Sequence, residues 1–274
     1  MRRLLLNPKL LIALIVVFAV IDIFAYRYIY AVEVSKRLYT DSAVKFVNAN
    51  KNPVFKIKKV ILYYGATAVD NSNGDLTNID ISQFTDIEIE IDNHSYNKEL
   101  SPENTISELF VDNIKITPSS EESNIIFNYK NPMSAGKYQE LENYKEDGIL
   151  FKIIRSNEAL KEADYNDCIF YTDCSNPLSL GYINKNIMTG CEVSKDVDGL
   201  VTFDGSILKS VNIPLDSLDA KIQFQIHLVN NYNEEYVCNV SLDNNLNTEN
   251  KEIYTGHYVK ILNTNDMNFI KVSN

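Results

Sequence analysis

Ala220–Leu242 reads AKIQFQIHLVNNYNEEYVCNVSL. Ile222, Phe224, Ile226 and Leu228 alternate with Gln223, Gln225 and His227, the period of a strand with one dry and one wet face. Asn230-Asn231-Tyr232-Asn233 is turn chemistry, because Asn tolerates a left-handed backbone and bonds its own main chain. The chain then returns through Tyr236, Cys238 and Val240 in the same alternation. The stretch predicts a hairpin of Ala220–Val229 with Glu235–Leu242. Its dry face needs a second apolar layer, so it points to packed sheets.

The same signature recurs along the chain. Asp86–Asp92 (DIEIEID) sets Ile87, Ile89 and Ile91 against Glu88 and Glu90. Val54–Tyr64 (VFKIKKVILYY) alternates with a slip at Lys58-Lys59, which predicts a bulge. Further strands are expected at Leu109–Ile116, Asn124–Lys130, Gly148–Arg155, Asp167–Tyr171, Leu178–Ile183, Leu200–Phe203, Ile207–Ile213, Glu252–Leu262 and Asn268–Val272. Helical periodicity is weak after residue 52, with one or two turns expected at Glu158–Ala163. Many short strands at regular spacing give an all-β expectation, an antiparallel β-sandwich that is immunoglobulin-like or jelly-roll-like. The charged run Arg155–Asn166 either joins two sandwiches, 53–155 and 164–274, or crosses over inside one, with two slightly favoured.

The N-terminal end is of another kind. Residues 1–9 form a short basic tail. Residues 10–31 (LLIALIVVFAVIDIFAYRYIYA) begin with an unbroken apolar run from Leu10 to Ile21. A helix of about 21 residues rises roughly 31 Å, the thickness of a bilayer's hydrocarbon core. Asn7-Pro8 suits its start, and Tyr26, Tyr28 and Tyr30 suit an interfacial belt. Small residues before a cleavage point are poorly matched at Ile23-Phe24-Ala25 and Ile29-Tyr30-Ala31, which favours a retained signal anchor over a cleaved signal peptide. Arg2, Arg3 and Lys9 flank its N-terminal side and Arg27, Lys36 and Arg37 the other. That gives a small preference for the N-terminus inside and the large domain extracytoplasmic. Asp22 is costly within a span. It either reaches the interface near Arg27 or contacts a partner helix. Residues 32–52 are expected as a juxtamembrane linker.

Composition excludes more than it assigns. The net charge is −11, which disfavours a nucleic-acid partner because phosphate tracking needs clustered Lys and Arg. The four cysteines, Cys168, Cys174, Cys191 and Cys238, contain no CxxC and no zinc spacing with histidine. They are expected either as disulfides of an oxidising compartment or as buried thiols. No metal or cofactor site is expected. Ser206-Ile207-Leu208-Lys209 fits S-x-x-K, yet a strand there would send Ser206 and Lys209 to opposite faces. Asp196-Val197-Asp198-Gly199 and Asp70–Asp75 (DNSNGD) carry calcium-type oxygens without the full ligand spacing, as ordinary turns do. His94, His227 and His257 have no ligand spacing among them.

LFVDNIKI at Leu109–Ile116, with DISQFTDIEIEID at Asp80–Asp92, resembles strand phrases of carbohydrate-binding jelly rolls. The resemblance implies one closed sheet and a sugar ligand. Trp is absent, which leaves Tyr63, Tyr64, Tyr96 and Tyr129 as candidate stacking residues. The function expected is a membrane-anchored, non-catalytic surface module that binds a glycan, a peptide or an envelope protein. The alternative is a structural component of a membrane assembly that meets partners through its span at Asp22. Protease added to intact cells stripped of their outer wall is expected to digest 54–274. Full protection would reverse the orientation, and a mature N-terminus near Val32 would show that the anchor is cleaved.

Overall fold

The computed structural model describes residues 24, 26–36, 53–93, 100–120, 124–130, 138–140, 148–159, 167–193, 205–244, 253–254, 258–264 and 267–272. Contacts divide the chain into two compact units, Met1–Asn52 and Pro53–Asn274. In the first, residues 26–36 are helical with exposed side chains. Residues 10–23 and Ala25, including Asp22, lie outside the described residues. Among the described residues no helix is long and apolar enough to cross a membrane.

Among the described residues the second unit is mostly β, in two six-stranded sheets. Its strands are β1 (Lys56–Asp70), β2 (Ile79–Asp92), β3 (Ile106–Pro118), β4 (Ile125–Lys130), β5 (Tyr138–Glu140), β6 (Ile149–Ile154), β7 (Ile169–Tyr171), β8 (Leu178–Cys191), β9 (Ala220–Asn230), β10 (Glu235–Asn244), β11 (Tyr258–Leu262) and β12 (Ile270–Lys271). Sheet one runs β11-β1-β2-β8-β4-β5 and sheet two β12-β10-β9-β3-β6-β7. The named strand pairs are antiparallel except β6 with β7.

Each sheet mixes strands from before and after residues 155–164. The expected boundary between two sandwiches therefore falls inside one unit, and the chain there passes from β6 to β7 within sheet two. The physical reason is pairing: β8 has β2 on one side and β4 on the other, so neither half owns a complete sheet.

Alternation decides which residues face inward. On β2, Ile79, Ile81, Ile87, Ile89 and Ile91 are buried while Glu88 and Glu90 are half-buried. On β9, Ile222, Phe224, Ile226 and Leu228 are buried and Gln223, Gln225 and His227 are half-buried. These rows belong to one hydrophobic cluster drawn from both sheets, giving a sandwich-like arrangement. The slip at Lys58 is real: pairing with β2 shifts register between Ile57 and Lys59. The hairpin turn forms as the asparagines dictate. Asn233 has φ +58°, and the Asn230 side chain accepts from the backbone N–H of Tyr232 and Glu234.

Two features depart from simple alternation. Ile207–Ile213, expected as a strand, is a short α-helix at Ser206–Ser210 followed by a turn, and it buries Ile207 and Leu208 side by side. Adjacent residues can share a buried flank on a helix but not on a strand. The second is a polar seam inside the core. Thr85, Tyr182 and Asn184 of sheet one lie inward, and Asn244 of sheet two donates to the Tyr182 hydroxyl. Burial pushes that hydroxyl up to about 12. The seam needs close strands: a Cβ on Gly181 would meet the Thr85 carbonyl at 2.8 Å.

Replacing Phe224 with Ala, where the ring is 2 % exposed, is expected to cost about 3–5 kcal/mol. Gln225→Ala loses only exposed amide bonds and is expected to cost under about 1 kcal/mol. Denaturant melts of both variants check this; the reverse order would mean that the inward face is misassigned.

Candidate functional site

Register places a continuous row on the outer side of sheet two. Leu150 pairs with Phe110, Phe110 with His227, His227 with Val237 and Val237 with Ile270, across β6, β3, β9, β10 and β12. Leu150 is 73 % and Ile270 42 % exposed. At the centre the Phe110 and His227 rings stack, with centroids 4.1 Å apart. His227 Nδ1 lies 2.8 Å from Glu235 Oε1 and Nε2 lies 3.1 Å from Asp112 Oδ1, so the ring is held at both ends.

The next row is polar. Asp112, Gln225 and Asn239 are partners across β3, β9 and β10. Asn113 Nδ2 donates to Gln225 Oε1 at 2.6 Å, and Gln225 Nε2 donates to Asn239 Oδ1 at 2.7 Å. Asn113 stands at φ +51° beside a register shift between Asp112 and Lys115, which turns its amide into this chain. The result is an apolar band edged by ordered amides on a rigid sheet.

The end of sheet two nearest the hairpin turn carries a cleft of about 590 Å³. It is assembled from the start of β3, the residues after β6 and β7, and the β9–β10 turn, and Arg155 is its basic group. A second cleft of about 390 Å³ lies between Lys58, Glu90, Asp92 and the Asp173-Cys174 turn. Among the described residues no group of three His, Cys, Asp or Glu could hold a metal ion.

No family model, curated protein or solved structure matches this chain. Its site therefore stands on geometry alone.

The sequence candidates fare unevenly. Ser206 and Lys209 lie on a helix, three apart and so on one side of it, which corrects the strand reading. Lys209 is exposed. Asp70 closes the β1–β2 turn by accepting from the backbone N–H of Ser72 and Gly74. These bonds, that from the Ser72 hydroxyl foremost, hold its carboxyl below the usual value. Tyr64 is buried against Tyr258, so it offers no face to a sugar. Tyr63 is half-buried on the outside of sheet one. His94, His257, Tyr96, Asp196–Gly199, the expected strand Leu200–Phe203 and the side chain of Tyr129 lie outside the described residues, as does most of Glu158–Ala163.

All four cysteines are free thiols. Burial pushes the Cys238 thiol up to about 12 from an ordinary 9.0. That lowers its thiolate fraction about a thousandfold, the opposite of what a nucleophile needs. Cys238 in the native protein is expected to react with Ellman's reagent only on unfolding, checked by counting thiols released with and without guanidinium. Fast native labelling of Cys238 would show that β10 is not packed as described.

Proposed function

We propose that this chain is a membrane-anchored, extracytoplasmic, non-catalytic module that binds a surface glycan across the outer face of sheet two. The observation that carries this reading is the band Leu150–Phe110–His227–Val237–Ile270 lying beside the Asn113–Gln225–Asn239 amide chain. Exposed apolar surface rimmed by polar groups is the usual mark of a binding surface. Amides offer both donors and acceptors, which suits a partner rich in hydroxyl groups. Sheet strands hold them without ordering costs at binding.

Other features support the finer parts of the proposal. The apolar run 10–21 supports the anchor. The passage of the chain back and forth between two sheets supports a β-sandwich of the immunoglobulin-like or jelly-roll-like kind. The charge of −11 argues against nucleic acid as the partner.

Full-length protein in detergent, passed over insoluble cell-wall polysaccharide, tests the reading. Retention is expected, and Gln225→Ala with Asn239→Ala is expected to weaken it at least tenfold while lowering the melting temperature by no more than about 5 °C. Absence of retention, or full retention of the double variant, would overturn it. Copurification with other membrane proteins in place of polymer would favour the assembly role through Asp22.

A further inference from the structure

We propose that the Arg155 cleft at the end of sheet two is a subsite for a carboxylate-bearing sugar, which makes the bound glycan an acidic one. The inference rests on the glycan reading and adds the chemical class of its ligand.

The cleft is built before any ligand arrives. The Ile106 N–H donates to the Thr172 carbonyl at 3.1 Å, the Thr172 N–H to the Ile154 carbonyl at 2.9 Å, and the Asn231 N–H to the Thr105 carbonyl at 3.1 Å. These backbone bonds tie β3, β6, the residue after β7 and the hairpin turn into one frame. A volume of about 590 Å³ lies within the range of small-ligand sites, about 300–1,000 Å³.

Its polar groups divide into two sets. One set is already committed: Thr105 Oγ donates to the Ser101 carbonyl, Ser107 Oγ to the Val229 and Asn230 carbonyls, and Ser156 Oγ to Asp173. These hydroxyls keep lone pairs to accept from a sugar O–H. The other set has its side chains unengaged among the described residues: Arg155, Asn157, Thr172 and Asn231. A guanidinium without an ion partner among the described residues, in a chain of net charge −11, is a fork shaped for a carboxylate. Leu100 and Ile153 supply an apolar wall for the C–H face of a ring.

Asp173 also borders the cleft, and it limits the charge admitted. Burial alone would raise its carboxyl, but bonds from Ser175 and Ser156 hold it below the usual value, so it stays ionised. Two oxygens of Asp173 are occupied by the Ser156 hydroxyl at 2.7 Å and the Ser175 N–H at 3.1 Å. One fixed anion beside one cation fits a sugar with a single carboxylate and opposes a phosphate monoester, whose charge at neutral pH is about −1.5 to −2. A peptide C-terminus shares the carboxylate but brings fewer hydroxyl groups to the surrounding hydroxyls and amides.

Calorimetry of the full-length protein in detergent, with tetragalacturonate and its carboxyl-reduced, neutral counterpart, tests this. The acidic tetrasaccharide is expected to bind at least tenfold more tightly. Arg155→Gln is expected to abolish that difference, and Arg155→Lys to restore part of it, because charge survives without the fork. Arg155 is exposed, so melting temperature should not move. Equal binding of the two saccharides by the native protein, or an unchanged preference in Arg155→Gln, overturns the subsite while leaving the glycan reading intact. Binding of a short peptide through its free C-terminus, with neither saccharide bound, overturns the subsite as well. Failure of both saccharides together with failure of polysaccharide retention overturns the glycan reading itself.

Discussion

The structure depends on one constraint: two sheets must each bury a row of side chains spaced two residues apart, and the rows must meet. β2 and β9 carry the longest such rows, and both feed the same hydrophobic cluster. A slip of one residue in either strand would exchange its dry and wet faces. The bulge at Lys58 shows how the chain protects that phase. It absorbs an extra residue in β1 so that Phe55 and Ile57 on one side, and Val60, Leu62 and Tyr64 on the other, all remain buried. Gly181 serves the same end by bringing β8 close to β2, where any Cβ would strike backbone.

The candidate site follows from the opposite face of the same alternation. Once Phe224 and Ile226 point inward, Gln225 and His227 must point outward, and their neighbours on β3 and β10 are set by register. Phe110, Asp112 and Asn239 arrive beside them because hydrogen bonding of the strands leaves no other partner. The Arg155 cleft has a different origin. It forms where strands end and their loops are tied together by backbone bonds, so its shape is a property of the strand termini.

Much of the fold is legible in the residues. The hairpin, the acidic alternation of β2 and the bulge are local patterns, and local patterns survive without knowledge of partners. What was not legible is pairing. Nothing near Leu178 announces that β8 will run to Cys191 or lie between β2 and β4, and this is why one unit reads as two. Ser206–Ser210 misled because five residues carry too little periodicity to separate a helical turn from a short strand. At the site, His227 was visible as an outward residue of its hairpin. Its partners Asp112 and Phe110 were not, since they lie more than a hundred positions away and only register brings them near. Arg155 read as part of a charged connector, because three other segments give it its surroundings. Asparagine left a clearer trace: among the described residues five of the seven non-glycine residues with positive φ are Asn, matching its tolerance of that conformation.

The interleaving of early and late strands also sets when the domain can form. β1 has β11 as an outer neighbour, and β3 is flanked by β9. Sheet one lacks an edge until β11 is available and sheet two lacks one until β12 is, so both sheets are completed only by the last part of the chain. Such distant pairings slow folding, because loop closure precedes the contacts that reward it. A chain of this topology, emerging N-terminus first, would spend its synthesis or export with unpaired strand edges. Its survival then rests on keeping those edges apart, a task to which like charges along an acidic chain are suited.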